Sequence, residues 1–494
     1  MDYKYKFSVI VPIYNVEKYL AEALDSVINQ TIGFEENIQL ILVNDGSPDN
    51  SGDICIKYRD MYPENIIYID KENEGVSIAR NTGIGYVEGK YVNLLDSDDK
   101  WALDAFEKVY DYFEQHYNEI DLLACRIKLF EAQNNFHGLD YRFWGRGTRI
   151  ADLNDPSELF TVQFTNAPTF VKAETIKDNE ALRFDPRLKF GQDSVFTNKI
   201  ILEKCKYGLL KEALFYYRKR QSNNSAVNKM AFEKFYYTDK LDYYHRELFR
   251  YSKEKYNEVI PYIRSVVACD LMWRFDRSEV HNVLSEEEYN TFKQTCYELL
   301  SQVDDKIIFG LPVQKTYTRR SVAINFKYNI DYFKALKLED SKLFFREFQV
   351  FDMSNNGILC TLNSLGFGEN RCTVEILIAN WLLRATESGG KLVLKVGDKV
   401  IKPKEILDYP QKTVDTIDGK EWYYSSYIFK VKLKAKDGEP LQLTPYLVYG
   451  EKESPIFLNC KKFAPNGKSP ASDCLVQGRY FVNYDDGAIQ ISQQ

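Results

Sequence analysis

The sequence lacks three features that would assign it to other classes of protein. No run of about 18 apolar residues occurs, so we expect no membrane-spanning helix. The 9 cysteines are scattered, without a CxxC or Cys/His cluster, and this spacing predicts reduced, mostly buried thiols. Asp and Glu outnumber Lys and Arg, 72 to 65, which disfavours a nucleic-acid binder because such a protein needs excess positive charge.

A signal-peptide pattern at the start, internal repeats and low-complexity tracts are also absent. We therefore expect a cytoplasmic protein, and a peripheral contact with the inner face of the membrane remains open. The 494 residues are too many for one hydrophobic core and predict roughly two to four domains.

Strands and helices alternate along the first part of the chain. The run FSVIVPIY is continuously apolar, as expected of a parallel strand that is buried on both faces. We predict strands at 7–14, 38–43, 65–70, 91–95 and 121–130, with helices at 76–87 and 102–117 among them. This alternation predicts a doubly wound α/β sheet, in which ligands bind beyond the carboxyl ends of the strands.

The pattern changes twice further along the chain. Residues 228–340 contain long, aromatic and charge-rich helical segments, whereas residues 341–494 contain short alternating runs such as KLVLKVGD between Gly, Pro, Asn and Asp. We therefore predict three domains: an α/β domain at 1–227, a helical linker domain at 228–340 and an all-β, sandwich-like domain at 341–494.

The segment LLDSDD places Asp96, Asp98 and Asp99 at the end of a buried strand. Like charges this close repel one another and resist burial, so a cation should compensate them. Carboxylates at an exposed strand end can hold Mg²⁺ or Mn²⁺ together with phosphate oxygens. Aspartates can equally cap a helix that follows them, and the segment alone leaves both interpretations open.

Two further polar positions belong to the same predicted edge of the sheet. Asp45, in NDGS after the second strand, can accept a hydrogen bond from a base or ribose, while Gly46 permits close approach. NDGS is also a strong turn sequence, which is the alternative. Arg80, in the helix after NEG, can reach the acidic segment or a phosphate, and its alternative is a solvated helix arginine.

Four segments in order resemble the family 2 glycosyltransferases, which are inverting enzymes of the GT-A fold that use nucleotide-diphosphate sugars. They are SVIVPIYNVEKYLAEALDSVINQT, LILVNDGSPDNSGDI, NEGVSIARNTGI and YVNLLDSDD. The resemblance covers the predicted α/β domain. It implies that Asp96 contacts ribose or sugar and that Asp98 ligates a Mn²⁺ or Mg²⁺ ion bridging the diphosphate. The residues that it places in the nucleotide pocket are Pro12, Tyr14, Asp45, Asn73 and Arg80.

The resemblance extends to FGQDSVFTNKII at 190–201, where the family usually has Glu-Asp before a helix. It implies that Asp193 is the general base, which takes the proton of an acceptor hydroxyl as that oxygen attacks the anomeric carbon. Gln192 stands where an acidic neighbour is common, so the assignment rests on Asp193 alone. The alternative is that Asp193 is the N-cap of the helix.

The segment YYRKRQSNNS at 216–225 resembles the late segment of the family that closes over the diphosphate. Arg218, Lys219 and Arg220 can stabilise charge on the departing nucleotide diphosphate. A histidine found in some relatives is absent here, which leaves open which basic residue takes this role; the arginines Arg218 and Arg220 are our candidates. The alternative is a solvated basic loop.

Two segments between these motifs are expected on the acceptor side. GRGTR at 145–149 superficially resembles the Gly-rich loop of nucleotidyltransferases, but that loop would follow the first strand. We therefore interpret GRGTR as a flexible acceptor-side loop. TNAPTFVKAETI at 165–176 is expected to line the acceptor cavity, with Thr169 near the sugar.

The order of catalytic domain, helical linker and β domain is similar to bacterial enzymes that glycosylate wall teichoic acid, in which terminal β domains assist oligomerisation or polymer handling. Three roles remain open for residues 341–494. The domain can mediate self-association into a homo-oligomer, it can bind sugars, or it can serve only as an appendage. Sugar stacking would use Trp381, Trp422, Tyr423 or Tyr424.

Together these features predict a metal-dependent, inverting glycosyltransferase. The expected donor is a UDP-sugar. The expected acceptor is a hydroxyl of a bacterial surface polymer, such as a teichoic acid or capsule precursor, which receives a hexose or N-acetylhexosamine. Two other functions remain open: a non-catalytic scaffold that binds sugar nucleotides or glycans, and a nucleotidyltransferase that consumes a nucleoside triphosphate.

Overall fold

The chain divides into two compact units. The first contains Met1–Asp270, Val283–Thr295 and Ser301–Pro312, and the second contains Leu271–Asn282, Cys296–Leu300 and Val313–Gln494. The computed structural model describes residues 3–220, 229–312, 316–339, 341–352, 360–368, 370–379, 390–415, 417–418, 421–433, 440–449, 451–456, 458, 474–476, 480–485 and 488–493.

A nine-stranded mixed sheet forms the centre of the first unit. Its strands are β1 (Tyr5–Ile13), β2 (Ile38–Asp45), β3 (Ile66–Lys71), β4 (Gly89–Leu94), β5 (Lys100–Trp101), β6 (Leu122–Glu131), β7 (Arg149–Asp152), β8 (Thr169–Lys172) and β9 (Lys206–Lys219). The order is β3-β2-β1-β4-β8-β6-β9-β5, with β7 paired to β9. Strands β1 to β4 are parallel. Their carboxyl ends therefore share one edge, which we call the rim.

Helices connect these strands and dominate the middle of the chain. They are α1 (Leu20–Ile28), α2 (Phe34–Asn37), α3 (Ser51–Met61), α4 (Val76–Ile84), α5 (Ala105–Gln115), α6 (Ala173–Ile176), α7 (Gln192–Lys204), α8 (Glu247–Tyr256), α9 (Pro261–Met272), α10 (Val280–Val283), α11 (Glu286–Ser301), α12 (Asp305–Gly310) and α13 (Thr316–Tyr328). A π-helical turn, Leu241–Arg246, leads directly into α8. None of the described helices is both long enough and apolar enough to span a bilayer.

The second unit is rich in antiparallel strands, which form three sheets in the described residues. The first has the order β10-β11-β12, the second β13-β14-β18-β17 and the third β16-β15-β19-β23-β22-β21, with β20 paired to β19. The strands are β10 (Lys337–Glu339), β11 (Lys342–Phe345), β12 (Phe348–Asp352), β13 (Cys360–Phe367), β14 (Arg371–Ala379), β15 (Lys391–Val396), β16 (Lys399–Ile401), β17 (Glu405–Asp415), β18 (Glu421–Lys432), β19 (Leu441–Tyr449), β20 (Lys452–Pro455), β21 (Cys474–Val476), β22 (Tyr480–Asp485) and β23 (Ala488–Gln493). The sugar-stacking prediction concerns four aromatic residues whose side chains the structure does not describe: Trp381, Trp422, Tyr423 and Tyr424.

Aromatic side chains fill the core against the main sheet. The ring of Phe7 lies 5.0 Å from that of Phe106 and 5.4 Å from that of Phe170, and Trp101 lies 5.0 Å from Phe170. These tilted and edge-on contacts are the geometries that aromatic pairs prefer. The core thus fixes the strands whose ends form the rim. Free, buried thiols occur, as predicted, at Cys55, Cys125, Cys205, Cys269, Cys296, Cys360 and Cys372.

The helix after the acidic segment begins later than predicted. It starts at Ala105 rather than at 102, and Asp104 occupies its N-cap position. Between the acidic segment and this helix lies β5, which pairs with β9. The interpretation of Asp96, Asp98 and Asp99 as helix caps is therefore wrong, because a strand rather than a helix follows them.

Candidate active site

The rim brings together the segments that follow β1, β2 and β4. Ile13 at the end of β1 pairs with Asn44 of β2, whereas β4 ends at Leu94, opposite Ile10 and three residues earlier along β1. Pro12 is buried within the sheet, whereas Tyr14, just beyond β1, is 50% exposed. The polar residues that follow the three strands leave the sheet at the same edge.

Arg80 joins two carboxylates at the rim. Its Nη2 lies 2.7 Å from Oδ1 of Asp96, and its Nη1 lies 2.6 Å from Oδ1 of Asp193. The Arg80 side chain is only 3% exposed and its guanidinium lies over the Phe184 ring, 5.1 Å from the centroid. The alternative of a solvated helix arginine is therefore wrong. Arg80 therefore compensates the negative charge of Asp96, one of the three aspartates of the acidic segment.

Asp193 lies in the first turn of α7 but does not cap it. The helix begins at Gln192, and the N-cap position is taken by Gly191, whose φ of 87° is in the left-handed region. A Cβ atom on Gly191 would lie 2.8 Å from Cδ2 of Tyr244, so both conformation and space favour glycine there. The interpretation of Asp193 as an N-cap is thus wrong, and its carboxylate is directed to Arg80.

Asp98 and Asp99 are contacted by the end of β9. Arg220 pairs with the Asp98 carboxylate, and the backbone N–H of Arg218 donates to Oδ1 of Asp99 over 2.7 Å. Among the described residues, no group hydrogen-bonds the buried Oδ2 of Asp99. Burial raises the pKa of Asp99 well above its usual range, and the charges of Asp98 and Asp96 add to this rise. Burial also raises the pKa of Asp96 to about 6, although Arg80 opposes the change.

Arg218 and Arg220 differ in how much of each guanidinium is already engaged. Arg218 is 7% exposed, pairs with Glu22, lies 2.8 Å from Oε2 of Glu131 and donates to the Asp98 carbonyl over 2.7 Å. Arg220 is 39% exposed and contacts Asp98. The guanidinium of Arg218 is therefore fully engaged in contacts within the protein, whereas that of Arg220 can turn towards a ligand. Residues 221–225 of the predicted closing segment lie outside the described residues.

Asp45 holds the loop that follows β3. Its Oδ1 accepts from Nζ of Lys71 at 2.9 Å and from the backbone N–H of Glu74 at 3.0 Å, and its Oδ2 accepts from the N–H of Gly75 at 2.8 Å. Gly46 has a φ of 67°, and a Cβ there would lie 2.9 Å from the backbone nitrogen of Asn73. Gly46 thus permits the loop after β3 to lie close to the backbone that follows β2. A contact of Asp45 with a base or ribose stays a prediction.

The two predicted acceptor-side segments are both held within the first unit, and 165–176 contains β8 and α6. Thr169 is completely buried and its hydroxyl donates to the Asn166 carbonyl over 2.6 Å, so the prediction that Thr169 lies near a sugar is wrong. In GRGTR, Arg146 and Arg149 lie 2.6 and 2.8 Å from Oε1 of Glu158. This shared carboxylate fixes the ends of the loop.

The side chains at the rim fit a divalent cation that takes most of its ligands from a substrate. Within the described residues, no group of three or more His, Cys, Asp or Glu side chains is arranged to hold a metal ion. Mg²⁺ in phosphate-binding sites is commonly held by one or two carboxylates together with phosphate oxygens and waters. Asp98, which is 26% exposed, and the unpartnered oxygen of Asp99 offer such a partial set.

Sequence reasoning missed two acidic residues that support the site. Glu22 in α1 and Glu131 at the end of β6 together hold Arg218 against β9. Both look like ordinary exposed acids in the sequence, since neither belongs to a motif. Only the folded chain brings them to Arg218.

Comparison with known proteins assigns the class. The model of Glycosyl transferase family 2 matches residues 8–175. The minor teichoic acid biosynthesis protein GgaA of Bacillus subtilis (strain 168) is 34% identical over 309 residues, which cover 61% of this chain and 68% of GgaA. The chain therefore belongs to glycosyl transferase family 2, and the predicted family and enzyme class, a glycosyltransferase, are confirmed.

Other relatives are similarly named. The minor teichoic acid biosynthesis protein GgaB of the same organism is 37% identical over 409 residues, or 82% of this chain. The chain spans 44% of the length of GgaB. A poly(ribitol-phosphate) beta-N-acetylglucosaminyltransferase TarS, from Staphylococcus aureus (strain MW2), is 27% identical over 237 residues, covering 47% of this chain and 39% of that protein.

Solved structures confirm the fold class. The crystal structure of S. aureus TarS aligns with a TM-score of 0.53 at 17% identity, covering 99% of this chain and 85% of that chain. A structure of S. aureus TarS 1-349 in complex with UDP-GlcNAc aligns with a TM-score of 0.50 at 20% identity, covering 70% and 98% of the two chains. At these identities the likeness concerns the fold alone: an α/β sheet, a helical region and strand-rich C-terminal sheets.

Proposed function

We propose that this chain transfers a hexose or N-acetylhexosamine from a UDP-sugar to a hydroxyl of a teichoic-acid-type or capsule-type polymer, with inversion at the anomeric carbon. The observation that carries the proposal is the bridge from Asp96 through Arg80 to Asp193. One buried guanidinium thereby holds the carboxylate assigned to the donor next to the carboxylate assigned to the acceptor. The names of GgaA, GgaB and TarS, and the UDP-GlcNAc bound to TarS, support the substrate classes.

The proposed reaction is a single displacement. Asp193 accepts the proton of the acceptor hydroxyl while that oxygen bonds to the anomeric carbon, and the bond from this carbon to the diphosphate breaks. The pair Asp193–Arg80 keeps the carboxylate directed to the place where the donor meets the acceptor. Attack on the face opposite the diphosphate inverts the configuration, as in the inverting enzymes of the family.

Leaving-group stabilisation is the role that we assign to Arg220. Its guanidinium is exposed enough to turn from Asp98 to a diphosphate, whereas Arg218 is held by Glu22 and Glu131. A Mn²⁺ or Mg²⁺ ion held by Asp98 would neutralise charge on the diphosphate when bound. Arg220 pairs with Asp98 through the same carboxylate, so we expect Arg220 to release Asp98 as nucleotide and metal bind.

The nucleotide pocket is proposed along the rest of the rim. Tyr14 and Asn73 are exposed beside the ends of β1 and β3, while Pro12 and Asp45 are buried and shape the walls. Asp45 acts in this proposal chiefly by holding Glu74 and Gly75.

The resemblance to teichoic acid enzymes supports three further proposals. The chain has three domains, at 1–227, 228–340 and 341–494; it self-associates through the last of them; and it acts at the inner face of the membrane.

An assay of UDP release with a panel of UDP-sugars, Mn²⁺ and poly(ribitol phosphate) or poly(glycerol phosphate) tests the function. We expect Asp193→Asn to lower kcat about 10²- to 10⁴-fold, because the general base is lost. Asp152→Asn is a matched control, since Asp152 pairs with Lys206 at the start of β9, away from the rim. Pyrophosphate released from a nucleoside triphosphate would instead identify a nucleotidyltransferase. Nucleotide binding without turnover would identify a scaffold.

A further inference from the structure

Helix α7, which carries Asp193, is buried along most of its length. Every residue from Ser194 to Leu202 is buried. A helix that is buried all round must be held by more than one neighbour. The main sheet supplies one neighbour, and the segment that runs from Lys240 to Tyr256 supplies another.

This second neighbour runs parallel to α7 and contacts it at successive levels. Nζ of Lys199 lies 2.6 Å from Oε1 of Glu247, and Glu203 accepts from the Tyr251 hydroxyl over 2.8 Å. The contacting residue numbers rise together in both helices, which shows that the two helices run in the same direction. These contacts hold the middle and the C-terminal end of α7, far from Asp193.

The first turn of α7 is held differently, by one aromatic side chain. The hydroxyl of Tyr244 lies 2.7 Å from Oγ of Ser194, and both residues are buried. The ring of Tyr244 also lies against Gly191, where a Cβ would come within 2.8 Å of Cδ2. Tyr244 thus touches the residues on either side of the Gln192–Asp193 pair.

The position of Tyr244 is itself fixed by the turn that contains it. Tyr244 belongs to the π-helical turn Leu241–Arg246. Such turns are rare in proteins, and those that occur are often found at functional sites. Asp270 accepts from Nζ of Lys240 at 2.8 Å and contacts Nε2 of His245 at 2.9 Å, one residue on from Tyr244. The turn is therefore anchored on both sides of the tyrosine.

We propose that Tyr244 is a positioning residue for the general base, an inference that rests on the proposed function. Tyr244 sets the height and rotation of the first turn of α7, and Arg80 then aligns the Asp193 carboxylate. A general base must lie within hydrogen-bond reach of the proton that it takes, and a misplacement of about 1 Å can reduce the rate about 10²-fold. The segment after the catalytic sheet thereby contributes to catalysis without contacting substrate.

Tyr244→Phe tests this proposal because it removes the hydroxyl and keeps the ring. We expect kcat to fall about tenfold while the KM for the donor and the affinity for UDP stay unchanged. Tyr251→Phe is the matched control, since it removes the same group from the other end of the same helix pair. We expect Tyr251→Phe to leave kcat unchanged and to cost similar thermal stability. Ser194→Ala should reproduce the loss, and the double variant should add little to it.

Amide hydrogen exchange supplies a readout that does not depend on turnover. Tyr244→Phe should speed exchange in the first turns of α7, and Tyr251→Phe only near Glu203. Equal kcat in wild type and Tyr244→Phe, an equal loss of kcat in the two Phe variants, or unchanged exchange at the first turns each overturns the inference. A wild-type protein that binds no sugar nucleotide and transfers nothing overturns the proposed function instead, and the exchange pattern still decides whether Tyr244 holds the turn.

Discussion

The two ends of the main sheet accommodate buried charge in different ways. At the rim, burial raises the pKa of Asp96 to about 6 and that of Asp99 well above its usual range. At the other end, where β4 and β6 begin, Asp121 lies 3.3 Å from Nζ of Lys172 and 3.0 Å from Nζ of Lys204. Burial lowers the pKa of Lys172 there, with Asp121 opposing the change. The rim has an excess of acids, whereas at the opposite end Asp121 and Glu174 balance Lys172 and Lys204.

The difference teaches which end is available to a ligand. Lys172 is closed off by protein, with its ammonium 3.8 Å from the centroid of the Tyr117 ring. At the rim, Asp98 and Arg220 remain partly exposed. A balanced charge cluster that the fold encloses contributes to structure, whereas an excess of acids that remains partly exposed favours a cationic ligand. Variants at the two ends should therefore separate stability from turnover.

After Asp193→Asn, Asp98→Asn is expected to have the largest effect on turnover. If Asp98 holds the cation at the diphosphate, its loss removes several kcal/mol of stabilisation and lowers kcat about 10²-fold or more. The measurements are kcat and the calorimetric binding of Mn²⁺ in the presence of UDP. Full Mn²⁺-dependent turnover in the variant would contradict the assignment of the metal ligand.

Arg80→Lys should follow, with kcat lowered about 10- to 100-fold. A lysine keeps the charge, but its single ammonium cannot span Asp96 and Asp193 as the two Nη atoms of Arg80 do. Lys172→Met at the opposite end is the control: Asp121 keeps Lys204, and unfolding should become about 1 kcal/mol easier with kcat unchanged. A loss of turnover in Lys172→Met would erase the contrast between the two ends.

Arg220→Ala and Arg218→Ala should separate two residues that are neighbours in sequence. Arg220→Ala is expected to lower kcat about tenfold with little change in Tm, because its guanidinium is partly exposed and can turn from Asp98 to the diphosphate. Arg218→Ala should instead lower the unfolding free energy by about 1–2 kcal/mol, since it removes the partner of Glu131 while Glu22 keeps Lys100. Thermal unfolding and initial rates of both variants check the assignment. The reverse pattern would exchange the two roles.

His137→Asn should have the smallest effect on turnover and reveals how burial acts on a base. Burial lowers the pKa of His137 to about 4, with Arg142 and Lys219 adding to the shift. Between pH 6.5 and about 4, His137 binds a proton in the unfolded chain but stays neutral in the folded chain. The stability of the wild-type protein therefore falls as the pH drops through this window. Asn can keep the acceptor for the Leu139 N–H and should make the decline shallower. Denaturation at pH 7 and at pH 5 measures the difference.

Strands β1 to β4, strand β6 and the presence of an acidic segment at a strand end could be predicted from sequence. A strand buried on both faces must be continuously apolar, and FSVIVPIY and IQLILV carry that pattern directly. The observed strands β1 and β2 lie close to these runs. Crowded aspartates likewise require a compensating charge wherever they lie, so LLDSDD indicated a site without any knowledge of its neighbours.

The partners at the site could not be predicted in the same way. Arg80 is 113 residues from Asp193, Arg220 is 122 residues from Asp98, and Glu22 is 196 residues from Arg218. No local pattern specifies pairs at such separations. Thr169 is a second case, since we expected it near the sugar in the acceptor cavity and the packing of β8 buries it.

The sequence by itself determined that β1 to β4 become parallel strands and which of their ends carry acid, because apolar periodicity and charge are local properties. Tertiary structure decided which cation faces which carboxylate, that Arg218 is enclosed while Arg220 stays open, and that Tyr244 supports the turn bearing Asp193. The physical reason is that burial and pairing depend on chain segments meeting in space, and only the packed sheet and helices bring those segments together.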